Sequence, residues 1–379
     1  MPPSGSATAG TGLTASRPFL PVDSNRLLGM LLVVVIGMMT LVPVVYIVAQ
    51  SFNLASPGGG YRFGTLAWEE MFSSPKTLSS MGYSFLLAIR IPMGLCIALA
   101  IAWLLVRVRI PFHGFIEYAL WFAFFLPLLP MTMGWILLLD ADYGLVNLAF
   151  KKMPFVENSP FSIYSVPGII WVHLTLSTVP IMVILLAPAL RQLDGTLEEA
   201  ADMCGAGLLA TLRRITIPLI GPAILTAFVA GFIRSLEVFE IEQLLGTPAN
   251  IFVYATRVYD LITWDPPKYP QAMALSALFL VLLLGMALLY QYWLRRLAGR
   301  ATITGKGARL PPRRHGKWAY LGSAVILLYV AISIVLPLVV LVLGSFNRLF
   351  GFFFTASPWT LDHWRAVLSN PGVARAPRH

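Results

Sequence analysis

This sequence predicts an all-α polytopic membrane protein, on three observations. Of its 379 residues, 58% are apolar and only 12% are charged, too little polar surface to clothe a water-soluble globule. Apolar runs recur that reach or exceed the about 20 residues a helix needs to cross a hydrocarbon core of about 30 Å. At that length per crossing, the chain's length goes into several spans rather than several globular domains. Lipid is therefore the first partner. The net charge of +10 does not call for nucleic acid, because in a membrane protein the placement of Lys and Arg matters more than their sum. Two cysteines, Cys96 in an apolar run and Cys204 in a polar loop, argue against a disulfide framework and read as small apolar fillers.

In chain order, residues 1–26 are rich in Pro, Ser, Gly and Thr and read as a disordered tail. Seven spans follow, at about 27–50, 81–106, 115–139, 166–190, 219–245, 271–294 and 319–343. Span one is too long for the apolar region of a cleaved signal peptide, and no small-residue cleavage site follows it. Span three contains Pro127 and Pro130, tolerable in a membrane helix when neighbours or water satisfy the freed carbonyls. A basic linker, 295–317, separates span six from span seven. With the N-terminus inside, the inner segments hold fifteen Lys and Arg and the outer loops with the terminal tail hold ten, an excess that places the N-terminus in the cytoplasm.

The longest well-patterned polar interruption is 194–218, between spans four and five. Asp194 or Thr196 can cap a helix there, and Glu198 and Glu199 then fall in its first turn, where acids complement the dipole. Ala200 and Ala201 favour helix, Gly205 and Gly207 break it, and a second short run ends at Pro218. The spacing is Glu199-Ala200-Ala201, three residues, Gly205, nine residues, Ile215, one residue, Ile217-Pro218. It resembles the EAA loop of inner-membrane permeases of binding-protein-dependent ABC importers, with Ile217 where that family usually has Leu. The resemblance implies that Glu198, Glu199, Ala200, Ala201, Gly205, Ile215 and Pro218 form a cytoplasmic coupling element docking on an ATPase subunit. It also implies the fold: a six-span permease core, here 27–294, in a bacterial inner membrane.

The chain repeats itself. Span one ends in Pro43 and then Ser51-Phe52-Asn53; span seven ends in Pro337 and then Ser345-Phe346-Asn347. Trp68 and Pro75 find counterparts in Trp364 and Pro371. Residues 318–379 thus read as the start of a second, incomplete permease repeat, similar to the fused double-length permeases of ferric-iron-type importers. A truncated chain would pack span seven loosely, its usual neighbours being absent.

No Gly-Lys-Ser/Thr nucleotide motif, nucleophile–base arrangement or His/Cys metal cluster stands out, so the reading is of a permease rather than an enzyme, with no cofactor and no catalytic or metal residues. The informative residues are charges inside spans, which are costly at membrane depth and usually face a bundle interior or a water-filled path. They are Arg90 in span two and Arg234, Glu237, Glu240 and Glu242 in span five. Arg234 and Glu237 are three apart and share a helix face, so they serve either as a buried ion pair or in the path. The Ser-Leu-Glu-Val-Phe stretch and Leu-Leu-Gly-Thr-Pro turn at 235–248 again resemble ferric-iron-type permeases. The resemblance implies two copies of an ATP-binding subunit, a periplasmic solute-binding protein and a second permease half or homodimer partner. Ferric iron is the implied solute; a polyamine or aminophosphonate permease and a remnant without transport are the alternatives.

Overall fold

The structure, a computed structural model, describes residues 24–54, 59–155, 158–298 and 316–375. Most of the expected tail 1–26 and of the expected linker 295–317 lies outside the described residues. Among the described residues there is no strand, and isolated β-bridges join Asn53 to Phe63 and Asn347 to Trp359. Five helices are long and apolar enough to cross a membrane, or up to seven if each of two bent helix pairs is one span.

The first span is α1 (Ser24–Gln50), followed by the short α2 (Leu66–Ser73). Span two is two helices, α3 (Pro75–Leu87) and α4 (Arg90–Arg107), parted at Ala88 and Ile89. Its start is set by Ser74, whose hydroxyl accepts the Thr77 N–H, with Pro75 at the first helical position. The span expected over 115–139 forms as a bent pair of helices. α5 (His113–Phe125) and α6 (Leu128–Leu139) meet at 105°, because Pro127 removes a donor and holds the preceding residue extended.

After α7 (Leu145–Lys151), span four runs from α8 (Val166–His173) through a π turn at 174–178 into α9 (Val179–Gln192). The loop supplies α10 (Thr196–Met203), α11 (Leu208–Thr211), a π turn at 212–216 and α12 (Ile217–Leu219). It does not stop at Pro218 but runs one residue past it, then bends by 73° into α13 (Gly221–Glu237). α13 ends earlier than expected. Glu240 and Glu242 lie beyond it, Glu242 opening a separate π turn at 242–246. Then come α14 (Tyr254–Thr263), the long α15 (Tyr269–Ala298), α16 (Gly316–Val330), a π turn at 331–335, α17 (Leu336–Gly344), α18 (Asp362–Ser369) and α19 (Pro371–Arg375).

Each of these four π turns ends two residues before a proline: Pro180, Pro218, Pro248 and Pro337. A proline has no N–H for the i−4 carbonyl and its ring crowds that carbonyl; widening the preceding turn by one residue relieves both.

The core lies where α4, α5, α9 and α13 meet, with Ile91, Ile116, Leu120, Val179 and Leu186 fully enclosed. Span seven closes it from one side and is not loosely packed. A Cβ on Gly134 of α6 would stand 2.4 Å from the Pro337 carbonyl oxygen, so α6 and α17 approach backbone to backbone. Ser323 donates to the Pro111 carbonyl at 2.7 Å, and the Tyr329 hydroxyl to the Leu174 carbonyl at 3.0 Å. The neighbours it uses are those of the first half. α1 is the reverse: it packs mainly on α15 and its apolar window is exposed. Neither cysteine is a buried filler; Cys96 and Cys204 are both exposed.

The two repeated stretches fold alike. Trp68 donates through Nε1 to the Ser51 hydroxyl at 3.3 Å, as Trp364 does to Ser345 at 3.2 Å. Phe52 stacks on Trp68 at 5.5 Å and Phe346 on Trp364 at 5.8 Å. Asn53 bridges to Phe63, and Asn347 to Trp359.

Candidate functional site: the 194–218 loop and the Arg90 cavity

The loop is built by its capping chemistry. Asp194 Oδ1 accepts the Thr196 N–H at 3.0 Å, and this bond holds the Asp194 carboxyl below the usual carboxylate range. Asp194 is thus the residue that starts α10, and Thr196 makes no side-chain cap. At the other end Gly205 has φ +78°, the left-handed region that side chains other than glycine's avoid. Its N–H bonds the Asp202 carbonyl and the Ala206 N–H bonds the Ala201 carbonyl, both at 2.9 Å. This reciprocal pair is a Schellman closure, and it turns the chain back after only eight helical residues.

Glu198 does not face outward with the rest of the loop. Its carboxyl is buried: Oε1 accepts the Thr216 hydroxyl at 2.8 Å, and Oε2 stands 3.1 Å from Arg107 Nε. That second contact is one of charge, since the Nε–H does not point at the oxygen. Arg107 in turn donates to the Leu193 carbonyl at 3.2 Å. The carboxylate therefore ties α10 to the end of α4 and to the π turn before Pro218, and Arg107 carries the tie on to the end of α9. Arg107 is the partner of Glu198 that spacing alone did not show; its place after a long apolar run was the available sign. What the loop presents outward is mixed: Glu199, Ala200, Gly205 and Pro218 are exposed, with Met203 91% and Leu209 79% accessible, while Ala201 and Ile215 are half-buried.

The second site lies at the other end of α4. Arg90, its first residue, is 1% exposed. Its guanidinium donates to the Leu87 carbonyl at 3.1 Å, to the Ser235 carbonyl at 3.0 Å and to Glu242 Oε1 at 3.3 Å. The same Oε1 stands 2.8 Å from His173 Nε2. Arg90 and Glu242 thus offset each other's burial. Neither His173 nor a Glu242 partnership was visible in the sequence, because they meet Arg90 only once α8, α13 and the 242–246 turn have folded together. Arg90 faces protein. The expected pair of Arg234 with Glu237 is not formed: no ion pair joins them among the described residues, and Arg234, Glu237 and Glu240 are all exposed. Arg234 instead lines, with Arg90 and His173, a cavity of about 300 Å³. Among the described residues no group of three or more His, Cys, Asp or Glu could hold a metal ion.

No known family profile matches the chain. Relatives do. The chain is 31% identical over 101 residues to a ferric transport system permease-like protein, AfuB, of Escherichia coli (strain K12), covering 27% of this chain and 82% of that protein. It is 29% identical over 134 residues to the ferric transport system permease protein FbpB of Actinobacillus pleuropneumoniae, covering 35% of this chain and 19% of that protein. The match thus spans about a fifth of that longer relative. Other relatives are named for molybdenum, sulfate and trehalose/maltose transport. In fold the chain matches the crystal structure of a bacterial ABC transporter involved in import of the acidic polysaccharide alginate, with TM-score 0.60, 20% identity, and coverage of 73% of this chain and 97% of that one.

Proposed function

The chain belongs to the permease subunits of ABC importers, and from that premise we propose that it forms one wall of a solute path and couples it to a separate ATP-binding subunit through the 194–218 loop. The observation that carries the proposal is that one helix serves both places. α4 opens at Arg90 in the cavity and closes at Arg107 on the loop. Its 18 residues make a rod of about 27 Å. It packs along α9 throughout. A displacement of α10 is therefore delivered to α4 by Glu198 and Arg107. The exposed Glu199, Met203 and Leu209 are the surface for the ATP-binding subunit.

The remaining assignments follow from the family. Two ATP-binding subunits, a periplasmic solute-binding protein and a second permease half or a homodimer partner complete the transporter, in a bacterial inner membrane. The Lys and Arg excess supports a cytoplasmic N-terminus. Ferric iron is the solute favoured by the ferric relatives. A second reading, an oxyanion permease, is favoured by the relatives named for molybdenum and sulfate. The test is co-purification of the full chain with the ATP-binding subunit encoded beside it, then uptake of radioactive iron against molybdate and sulfate in proteoliposomes with the binding protein. Failure of the ATP-binding subunit to associate refutes the coupling role. Uptake of an oxyanion but not iron moves the solute to the second reading.

A further inference from the structure

We propose that the cavity beside α4 is an anion subsite with Arg234 as its ligand group, so that the solute crosses it as an anion: a free oxyanion, or a metal ion enclosed by oxyanion or carboxylate ligands. The inference deepens the permease reading and rests on it for the word solute. Three observations meet here. The cavity's lining carries three basic side chains, Arg90, His173 and Arg234, and no Asp or Glu. The charge of Arg90 is already engaged by Glu242, behind the wall. Arg234 has no such partner: no carboxylate lies within ion-pair distance of it among the described residues, although Glu237 is one turn along the same helix.

An arginine at membrane depth without a counter-ion is costly, and is kept where it faces a ligand or a water-filled path. Arg234 is exposed while Arg90 and His173 are 1% exposed, so the cavity opens past Arg234 and is closed at its inner end. Ile91, Met182 and Val238 form much of the remaining wall. Such apolar walls focus the field of a single charge. Ser177 and Thr178 add hydroxyls beside it. A guanidinium presents paired N–H groups that match a carboxylate or tetrahedral oxyanion. A bare multivalent cation would meet this wall with repulsion and find no oxygen anion to bind.

The charge of the cavity is measured directly by thiol chemistry. In full-length chain in nanodiscs, with Cys96 and Cys204 replaced by Ser, a single Ser177→Cys is treated with a sulfonate-bearing or a trimethylammonium-bearing methanethiosulfonate. Rates are normalised to a free thiol. A focused positive site raises the anionic reagent's rate over the cationic one's by about tenfold or more. Arg234→Gln should bring the ratio to about unity and Arg234→Lys should keep it. Ile181→Cys, on the same wall, repeats the measurement should Ser177→Cys not fold. A ratio near or below unity, a ratio unmoved by Arg234→Gln, or no reaction at either cysteine overturns the proposal. Millimolar phosphate and ferric citrate are then tested for protection of the cysteine. Protection by phosphate alone assigns a free oxyanion, and by ferric citrate alone an anionic chelate; protection by neither refutes an anion subsite. No ATP-binding subunit is needed, so this experiment and the co-purification test fail independently.

Discussion

Glu198 is the residue on which the loop's attachment depends, and its removal has a readable size. The side chains of Glu198 and Arg107 are 10% and 11% exposed. The pair is therefore closer to a buried ion pair than to a surface one, for which about 0–1 kcal/mol is typical. Breaking a buried pair from one side costs about 3–5 kcal/mol, since it strands the other charge. Two features lower that here: the Nε–H is not aligned on Oε2, and Arg107 keeps its bond to the Leu193 carbonyl. Glu198→Gln retains an oxygen for the Thr216 hydroxyl and removes only the charge, so a local loss of about 2 kcal/mol is expected. Glu198→Ala removes both contacts and should lose about 3 kcal/mol. The loss falls on the loop, not on the spans. Amide hydrogen exchange across Glu198–Cys204 should therefore speed up about 30-fold in Glu198→Gln, at about 1.4 kcal/mol per factor of ten, while the amides of α4 and α9 hold. Rescue by Glu198→Asp should be partial, because a shorter arm reaches one partner and not both. If Glu198→Ala changed exchange in the loop by less than threefold, the carboxylate would not be what holds α10 to α4.

Gly205→Val forces a β-branched residue to φ +78°, at about 1–3 kcal/mol of backbone strain although nothing crowds the new side chain. In an assembled transporter it should separate ATP hydrolysis from uptake with membrane insertion unchanged, Gly205→Asn being milder; coupled uptake at the normal rate would remove Gly205 from the mechanism. Glu242→Leu strands Arg90 in the core and should lower stability by about 3–5 kcal/mol, with Arg90→Leu/Glu242→Leu recovering part of it. Unfolding in a denaturant series reads both, and a double variant as unstable as the single would show that the charges are not what matters. Gly134→Val places atoms against the Pro337 carbonyl and should part α6 from α17. A disulfide engineered between Leu137→Cys and Gly344→Cys should then fail to form.

Much of the architecture was legible because a bilayer imposes one length scale on every span. The runs at 166–190 and 271–294 needed little more than that, and the helices that form are only a few residues longer. The loop was legible for a different reason: its Asp, Gly and Pro residues act locally, each on backbone within a turn. Breaks were less legible. Pro127 bends its span by 105°, whereas Pro43 and Pro188 sit within continuous helix. A proline marks a weak point; whether the helix bends, widens into a π turn or carries on depends on what the neighbours offer the freed carbonyl. Long-range pairing was not legible. Arg90 stood out as a charge in an apolar run, but its partner Glu242 is 152 residues away. Glu237 had the local spacing to pair with Arg234, three residues before it, and no ion pair joins them among the described residues.

The repeat shows why the environment of a span cannot be read from its apolar character alone. α1 and span seven align with a constant offset through Pro43 and Pro337, and both end in the same Ser-Phe-Asn hook. One is nearly bare and the other is bound on α4, α5 and α6. In lipid no hydrophobic force drives one apolar helix onto another, so close contact has to come from small residues and hydrogen bonds. Span seven has them where α1 does not. Ser323, which donates to Pro111, stands where α1 has Gly29; Tyr329, which donates to Leu174, stands where α1 has Val35. Gly344, which lets α17 meet Leu137, stands where α1 has Gln50. Those three positions give span seven contacts with this core that the equivalent positions of α1 do not make.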